Sequence, residues 1–144
     1  MNCTRRSLAL LFPALAAAQQ RAQPSAAPGG TVPSKAYSFE ELTARQTATI
    51  KSYQILTGDT HSGYRLDLHE SELPGGMAPH PPHRHLHEEL LFVREGEMEV
   101  TLNGHTTRLG PGSCAYMASN DLHGYRNPGT APAKYFVLAL GTDS

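Results

Sequence analysis

This sequence has few cysteines, no tryptophan and almost no net charge. It has two cysteines, Cys3 and Cys114, no tryptophan, and a formal net charge of −1 at pH 7. Two cysteines, of which one lies in a leader-like segment, do not indicate a disulfide framework. The near-neutral charge, with no basic cluster in the body of the chain, gives no indication of a nucleic-acid partner.

Long apolar runs and sustained helical periodicity are also lacking. The apolar stretch at residues 8–18 is shorter than the roughly 20 residues that a membrane-spanning helix needs. Glycine and proline are frequent, with 13 and 11 residues, which indicates many turns between short elements. A hydrophobic share of 39% in 144 residues is enough for the core of a single domain.

The first 18 residues have the layout of a cleavable export signal. Arg5 and Arg6 precede the apolar stretch, and the small residues 16–18 suit a cleavage site. Residues 4–8 resemble a twin-arginine motif, and a general secretory signal is the alternative. Residues 19–34, rich in Ala, Pro, Gly and Ser, indicate a flexible linker. We therefore expect an exported, periplasmic protein with no membrane anchor after cleavage.

The rest of the chain consists of short strands between turn signals. Leu66 and Leu68 alternate with Asp67 and His69, as in a half-buried strand, and Asn103-Gly104 is a strong hairpin signal. Residues 38–42 could form one helical turn capped by Ser38. Further strands are predicted at residues 47–56, 90–93, 97–102, 106–109, 114–117, 123–126 and 135–140. About eight short strands predict an all-β sandwich or barrel.

Residues 75–96 contain a group of side chains that can bind a metal: His80, His83, His85, His87, Glu88 and Glu89. Imidazole is the commonest metal-binding side chain. His83 and His85 are two residues apart, so on a strand both would point to the same face. Histidines in a proline-rich loop can also be solvated without a role, and this segment alone leaves both interpretations open.

Two spaced patterns resemble the characteristic motifs of the cupin superfamily. The first is Gly76-x6-His83-x-His85-x3-Glu89-x6-Gly96, with an opening spacer one residue longer than usual. The second is Gly112-x5-Ala118-x-Asn120-x2-His123-x3-Asn127, with alanine for the usual proline and asparagine for the usual glycine. Neither changed position is a metal ligand in the family, so these departures concern the geometry of a turn.

The resemblance implies a double-stranded β-helix, or jelly-roll barrel, formed by a single cupin domain over residues 35–144. It also implies one divalent transition metal bound by His83, His85, Glu89 and His123. Three imidazoles and one carboxylate suit Mn, Fe, Co, Ni, Cu or Zn and leave coordination positions for water or substrate. An all-oxygen calcium site is disfavoured by this set of ligands.

The positions of several other side chains predict where they lie or what they do. Tyr125, two residues beyond His123, should approach the metal and could orient a substrate or transfer a proton; a packed tyrosine is the alternative. Leu91 is expected in the pocket wall and Cys114 in the core. Family spacing excludes His87 and Glu88 as ligands, and His80 is expected at the pocket mouth or in solvent. No role is assigned to His61, His69 and His105.

The resemblance implies a broad range of activities, since cupins with these ligands include dioxygenases, isomerases, lyases and other enzymes, and the fold does not select the reaction. We expect a metal-dependent enzyme that acts on a small organic substrate. The alternatives are a non-catalytic protein that binds a sugar or an organic acid, and a structural cupin that acts through a dimer surface. Residues 135–140 are apolar on both faces of a strand, which predicts a homodimer.

Overall fold

The computed structural model describes residues 31–141, which contain nine strands and one short 3-10 helix, Phe39–Glu41. The strands are β1 Ala44–Gln46, β2 Lys51–Asp59, β3 Arg65–Leu73, β4 Glu88–Glu95, β5 Met98–Leu102, β6 His105–Leu109, β7 Cys114–Met117, β8 His123–Arg126 and β9 Ala133–Leu140. The predicted export signal and most of the predicted linker lie outside the described residues. Among the described residues, no helix has the length and apolar character needed to cross a membrane.

The strands form two antiparallel sheets. The larger has the order β1-β2-β3-β9-β4-β7, and the smaller has the order β6-β5-β8. The last strand, β9, therefore lies between β3 and β4. Both of these strands are distant from β9 in sequence. This arrangement confirms the predicted all-β jelly-roll fold.

Strand alternation directs one face of each sheet into a shared core. Along β9, Ala133, Tyr135 and Val137 are buried, while the residues between them are more exposed. Full burial of a large apolar side chain contributes about 1.5–3 kcal/mol. The buried cluster consists of Leu73, Leu91, Val93, Met98, Val100, Ala115, Met117, Tyr125, Ala133, Tyr135 and Val137.

The turns explain where the predicted strands are right and where they are wrong. The Asn103-Gly104 hairpin is confirmed: φ is 47° and 88° at these residues, the left-handed values that a two-residue hairpin turn favours. The strand expected at residues 47–56 instead begins at residue 51 and ends at residue 59. The Thr47 hydroxyl accepts the N–H of Thr49 and of Ile50, so residues 47–50 form the turn between β1 and β2.

Two expectations about single side chains are wrong. The Ser38 hydroxyl bonds to the carboxylate of Glu40 and does not cap the 3-10 helix. Cys114 is exposed and does not belong to the core. Strand β7 directs Ala115 and Met117 inward, so alternation places Cys114 on the outer face.

The last residues of the predicted linker contact the sheet. Thr31 forms a parallel bridge with Asp59 at the end of β2. The N–H of Val32 donates to the carbonyl of Asp59 at 2.8 Å. The domain boundary at residue 35 remains a prediction, and the chain already contacts β2 from residue 31.

Candidate metal centre

His83 and His85 lie in the loop between β3 and β4. The expectation that strand alternation would align them is wrong, because only His83 makes a β-bridge, with His123 at the start of β8. Two backbone hydrogen bonds close this bridge, from His83 N–H at 2.9 Å and from His123 N–H at 3.0 Å. Pro81 and Pro82 precede His83 and have no N–H to extend the ladder.

The histidine loop is held against β8 and the turn before it. The N–H of Asn120 donates to the carbonyl of His85 at 2.8 Å, and Arg84 donates to the carbonyl of Asn120. Asn120 has a φ of 63°, a left-handed conformation that asparagine tolerates better than most residues, so this turn forms without glycine. A Cβ on Gly124 would lie 3.0 Å from Pro82, so the loop packs directly on the β8 backbone.

The imidazoles of His83, His85 and His123 come together where the histidine loop meets β8. The ring centroids are 5.2 Å apart for His83 and His85, and 4.8 and 4.5 Å from each of these to His123. One ring nitrogen from each residue lies within 4.8 Å of the other two. Bonds of about 2.1 Å to a common ion place neighbouring ligand atoms roughly 3–4 Å apart, so small ring rotations suffice to close such a site.

Glu89, in β4, joins this cluster through His85. Its Oε2 lies 3.5 Å from His85 Nε2 and 3.9 Å from His87 Nε2. His85 therefore belongs to two groups of possible ligands, one with His83 and His123 and one with His87 and Glu89. The carboxylate is buried, and a buried carboxylate requires a cation or hydrogen-bond donors.

Each of the four predicted ligands has one buried polar atom without a hydrogen-bond partner. These atoms are His83 Nδ1, His85 Nε2, Glu89 Oε1 and His123 Nε2. Nearly all buried polar atoms in proteins have a partner, and an unsatisfied one costs about 1–3 kcal/mol. One nitrogen from each of the three imidazoles lies close enough to share a cation, and Glu89 adjoins them through His85, so the residues present fit a metal ion.

Two of the imidazoles are held in the tautomer that metal binding requires. His85 Nδ1 lies 2.8 Å from the carbonyl oxygen of His87, and His123 Nδ1 lies 2.9 Å from that of Asp121. A carbonyl only accepts, so Nδ1 carries the proton and Nε2 keeps its lone pair. Such a hydrogen bond also orients the ring, as it does for metal-ligating histidines in general.

The ionisation of His83 also favours a metal. Burial lowers the pKa of its imidazole below the ordinary value, and the neighbouring rings of His80, His123 and His85 lower it further. The neutral ring is the form that coordinates metal. The local electrostatics therefore keep His83 in its binding form at neutral pH.

His87 lies closer to the cluster than its spacing predicts. Its ring stacks on that of His85, with centroids 3.5 Å apart and planes inclined by 10°. An ion must lie near the plane of each imidazole that binds it, and two nearly parallel planes at this separation have no common point nearby. In this arrangement His85 and His87 do not bind the same ion. His87 instead lines the cavity beside Glu89.

Tyr125 shares the buried face of β8 with His123. Its ring packs edge-on against Tyr135, with centroids 5.5 Å apart, and against His80 at 5.6 Å. Burial raises the pKa of the Tyr125 phenol well above its ordinary value, and the charge of Glu89 raises it further. The phenol is therefore neutral at physiological pH and can donate a hydrogen bond. His80 is exposed, with its ring 4.3 Å from that of His83 at the edge of the cluster.

A cavity of about 470 Å³ adjoins the cluster on the side of Glu89. Sequence reasoning missed three of its residues, Arg65, Asp67 and His69, which line it from β3. The predicted alternation of β3 is present, but the polar face is the one directed toward this cavity. The sequence signal for these residues was the alternation of Arg65, Asp67 and His69 along β3. Only the neighbouring strands reveal that this face of β3 is directed toward the cavity.

Leu91, His61 and His105 lie outside the cavity beside Glu89. Leu91 is completely buried on the face of β4 that also carries Glu89. It belongs to the core, and it does not line the cavity beside Glu89. His61 and His105 are exposed and contribute nothing to the cluster.

Comparison with known proteins identifies the family of the strands that carry the cluster. The family model for the Cupin domain matches residues 69–139. The protein contains a cupin domain. The match begins at His69 in β3 and extends into β9, and it includes all four predicted ligands. No curated protein matches the chain significantly.

Several solved structures share the fold of this domain at low sequence identity. An RmlC-like cupin from Shewanella frigidimarina is 21% identical, with a TM-score of 0.63 over 76% of this chain and 93% of its own. A predicted oxalate decarboxylase from Thermotoga maritima is 17% identical, with a TM-score of 0.67 over 75% and 100%. The polyketide cyclase RemF from Streptomyces resistomycificus is 22% identical, with a TM-score of 0.63 over 76% and 80%.

Proposed function

We propose that the cupin domain binds one divalent transition metal through His83, His85, Glu89 and His123 and uses it to act on a small organic molecule. The observation that supports this most directly is that each of the four residues has a buried polar atom without a partner. Three imidazoles and a carboxylate suit Mn, Fe, Co, Ni, Cu or Zn.

The metal, when bound, would supply a Lewis acid that polarises an oxygen of the substrate. The protein's own contribution follows from its side chains. Tyr125 keeps its proton and can donate a hydrogen bond, and Leu91 and the barrel core exclude water from the inner side. The cavity beside Glu89 accommodates a small molecule. These features favour an enzyme.

A non-catalytic cupin that binds a sugar or an organic acid is the second candidate, since the same cavity would serve it. Screening the metal-loaded protein against small organic acids, sugars and hydroxylated aromatics distinguishes the two. Chemical change of any compound supports the enzyme. Saturable binding with every compound recovered unchanged supports the binding protein.

The metal ligands are tested by a matched pair of histidine variants. His123→Ala removes a predicted ligand, whereas His105→Ala removes an exposed histidine outside the cluster. We expect His123→Ala to weaken zinc affinity by more than about 100-fold, beyond the 10–100-fold typical for loss of an outer partner. His105→Ala should bind zinc as the wild type does. Equal affinities for the two variants would refute the assignment of His123.

We further propose a homodimer formed by the outer face of the larger sheet. In the cross-strand register, Leu68, Leu138, Leu90 and Tyr116 form one apolar row, in which Tyr116 is 50% exposed. Phe92 lies on the same face and is 40% exposed. A contiguous apolar patch of this kind is typical of an association surface. Export to the periplasm remains our proposal from the sequence of residues 1–18.

A further inference from the structure

Asp67 and His69 form a hydrogen-bonded pair on the face of β3 that lines the cavity beside Glu89. His69 Nδ1 donates to Asp67 Oδ1 at 3.1 Å, and Gln54 Nε2 donates to Asp67 Oδ2 at 3.0 Å. A carboxylate has about four lone-pair positions, so Asp67 can accept further hydrogen bonds. Because a carboxylate only accepts, Nδ1 of His69 carries a proton, and in the neutral ring Nε2 keeps its lone pair. The pair therefore presents acceptors, which suit a ligand with hydrogen-bond donors.

Arg65 lines the same cavity, but its guanidinium is engaged elsewhere. It lies 3.5 Å from the carboxylate of Asp59 and 3.3 Å from the hydroxyl of Thr57. Both partners belong to β2, which neighbours β3 on the side opposite β9. The guanidinium is therefore held away from the part of the cavity that lies between Asp67 and Glu89.

The strand register places the Asp67–His69 pair across β9 from Glu89. Asp67 pairs with Ala139 of β9, and Ala139 pairs with Glu89 of β4. Two strand spacings separate Asp67 from Glu89, which is about 10 Å between their Cα atoms. Ala139 and Val137 line the cavity between them, and their side chains form no hydrogen bonds. A ligand that fills this space meets acceptors at one end and the proposed metal at the other.

The charges around this part of the cavity favour a neutral ligand. Asp67 and Glu89 bring two negative charges, which together equal the charge of one divalent ion bound beside Glu89. Arg65 and Asp59 offset each other. An ammonium or carboxylate group would add a charge without a counter-charge, which is costly in a partly buried site. A hydroxyl donates a hydrogen bond without a charge, so it suits the acceptors of Asp67 and His69.

We propose that Asp67 and His69 form a subsite for adjacent hydroxyl groups of a neutral polyol. One hydroxyl donates to the carboxylate of Asp67, and the next donates to Nε2 of His69. The other end of the polyol extends across Ala139 toward the metal beside Glu89. The subsite deepens the proposed function and rests on it, because the metal supplies the second anchor. A chain of about four carbons suits the separation of about 10 Å between Asp67 and Glu89.

The test is a titration of the zinc-loaded protein with threitol, a four-carbon chain with one hydroxyl on each carbon, followed by NMR. Two ligands with the same number of carbons serve for comparison. Butane-1,4-diol lacks adjacent hydroxyls, and 4-aminobutan-1-ol carries a positive charge. We expect threitol to bind with chemical-shift changes centred on Asp67 and His69. The two comparison ligands should bind at least about fivefold more weakly, as loss of one hydrogen bond or more implies.

Two variants of the subsite and one matched control assign the contacts. Asp67→Asn removes the charge and one acceptor oxygen, so it should weaken threitol binding by about tenfold or more. His69→Phe keeps a ring without the acceptor nitrogen and should weaken binding by about two- to tenfold. Glu72→Gln changes a carboxylate that strand alternation places on the opposite face of β3, and it should leave the affinity unchanged. Zinc content is measured for every variant and should equal that of the wild type.

Unchanged threitol affinity in both Asp67→Asn and His69→Phe, with zinc retained, would overturn the subsite and leave the metal centre intact. Failure of threitol to bind the zinc-loaded wild type, or equally tight binding of either comparison ligand, would overturn it as well. A wild-type protein that takes up no zinc would instead overturn the proposed function. The subsite would then be judged on the metal-free protein. Threitol-dependent shifts at Asp67 and His69 that are lost in Asp67→Asn would support it, and their absence would refute it.

Discussion

Asn127, the last residue of the second sequence motif, is buried, and its side chain forms hydrogen bonds with the backbone of three residues. Its side-chain NH2 donates to the carbonyls of Leu73 and Ala131 at 2.9 and 2.8 Å, and its side-chain oxygen accepts the N–H of Gly129 at 2.9 Å. We expect Asn127→Ala to lower the free energy of unfolding by about 2–4 kcal/mol, because buried carbonyls lose their donor. Urea unfolding measures this loss.

Asn127→Asp separates the donor role from the acceptor role at the same site. The carboxylate keeps an acceptor for Gly129 and loses both donors, so it faces two carbonyl oxygens with a negative charge. It should be at least as destabilised as Asn127→Ala. A wild-type midpoint for Asn127→Asp would contradict the role given to the two donated hydrogen bonds.

Tyr125 and Tyr135 give the molecule a specific response to alkaline pH. Burial raises the pKa of both phenols above 10, and the charge of Glu89 acts in the same direction. A group whose pKa is higher in the folded than in the unfolded state leaves stability unchanged below the unfolded value and removes it as pH rises above that value. Each phenol should lower the free energy of unfolding by about 1.4 kcal/mol per pH unit above about pH 10.

The contribution of Tyr125 is isolated by Tyr125→Phe, which removes one of the two phenols. Urea unfolding between pH 9 and pH 11 should give a shallower loss of stability in the variant than in the wild type. Identical slopes for the two proteins would show that Tyr125 ionises as readily in the folded state as in the unfolded state.

Single residues of the site were predictable to the extent that spacing encodes them. The two motifs select His83, His85, Glu89 and His123; the structure groups the three imidazoles and places Glu89 beside His85. The nearness of His87 and the cavity-facing position of His69 were not predictable. Both depend on a loop conformation and on strand neighbours that lie far apart in sequence.

The turn after β3 is an element whose two glycines have different functions. A Cβ on Gly75 would lie 2.4 Å from the backbone carbonyl of Thr130, whereas one on Gly76, at a φ of +75°, would meet nothing within 4 Å. Gly75→Ala should lower the free energy of unfolding by more than about 2 kcal/mol, because two backbone segments must separate. Gly76→Ala should cost about 1–2 kcal/mol from its left-handed backbone alone.

Thermal or urea unfolding of the two glycine variants checks this order. If Gly75→Ala is the more stable of the two, the close packing of this turn against residues 127–131 is wrong. Both variants keep every side chain of the candidate metal centre. A change in stability is therefore not confused with loss of a ligand.

Elements could be predicted wherever a turn signal marked their ends. The Asn103-Gly104 hairpin and the strands at residues 114–117 and 123–126 agree with the structure. The start of β2 was misplaced because the Thr47 side chain creates a turn within a run of β-forming residues. The order of the strands was beyond prediction, since non-local pairing is not encoded in local propensity.

At the scale of the molecule, the homodimer is tested by a pair of tyrosine variants. Tyr116 is 50% exposed on the outer face of the larger sheet, and Tyr64 is 65% exposed in the loop before β3. We expect Tyr116→Lys to shift the protein from dimer to monomer in size-exclusion chromatography, because it places a charge in the apolar interface. Tyr64→Lys should stay dimeric. A wild-type protein that elutes as a monomer at all concentrations would refute the dimer.

The fold class was predictable from the two motifs and from short strands without helical periodicity. The division into two sheets and the insertion of β9 between β3 and β4 were not. This insertion also places Asp67 and His69 across β9 from Glu89, where all three line the same cavity. Local sequence patterns do not reveal this neighbourhood, because it depends on strands that are far apart in the chain.

Metal content of the wild-type protein tests the central claim most directly. The protein is stripped with a chelator, offered a panel of divalent Mn, Fe, Co, Ni, Cu and Zn, and analysed by mass spectrometry for metal per chain. We expect about one equivalent per chain, since the three imidazoles can share one ion and Glu89 lies beside His85. The double variant His83→Ala/His123→Ala should retain none. A wild-type protein that takes up none of these metals would contradict the account.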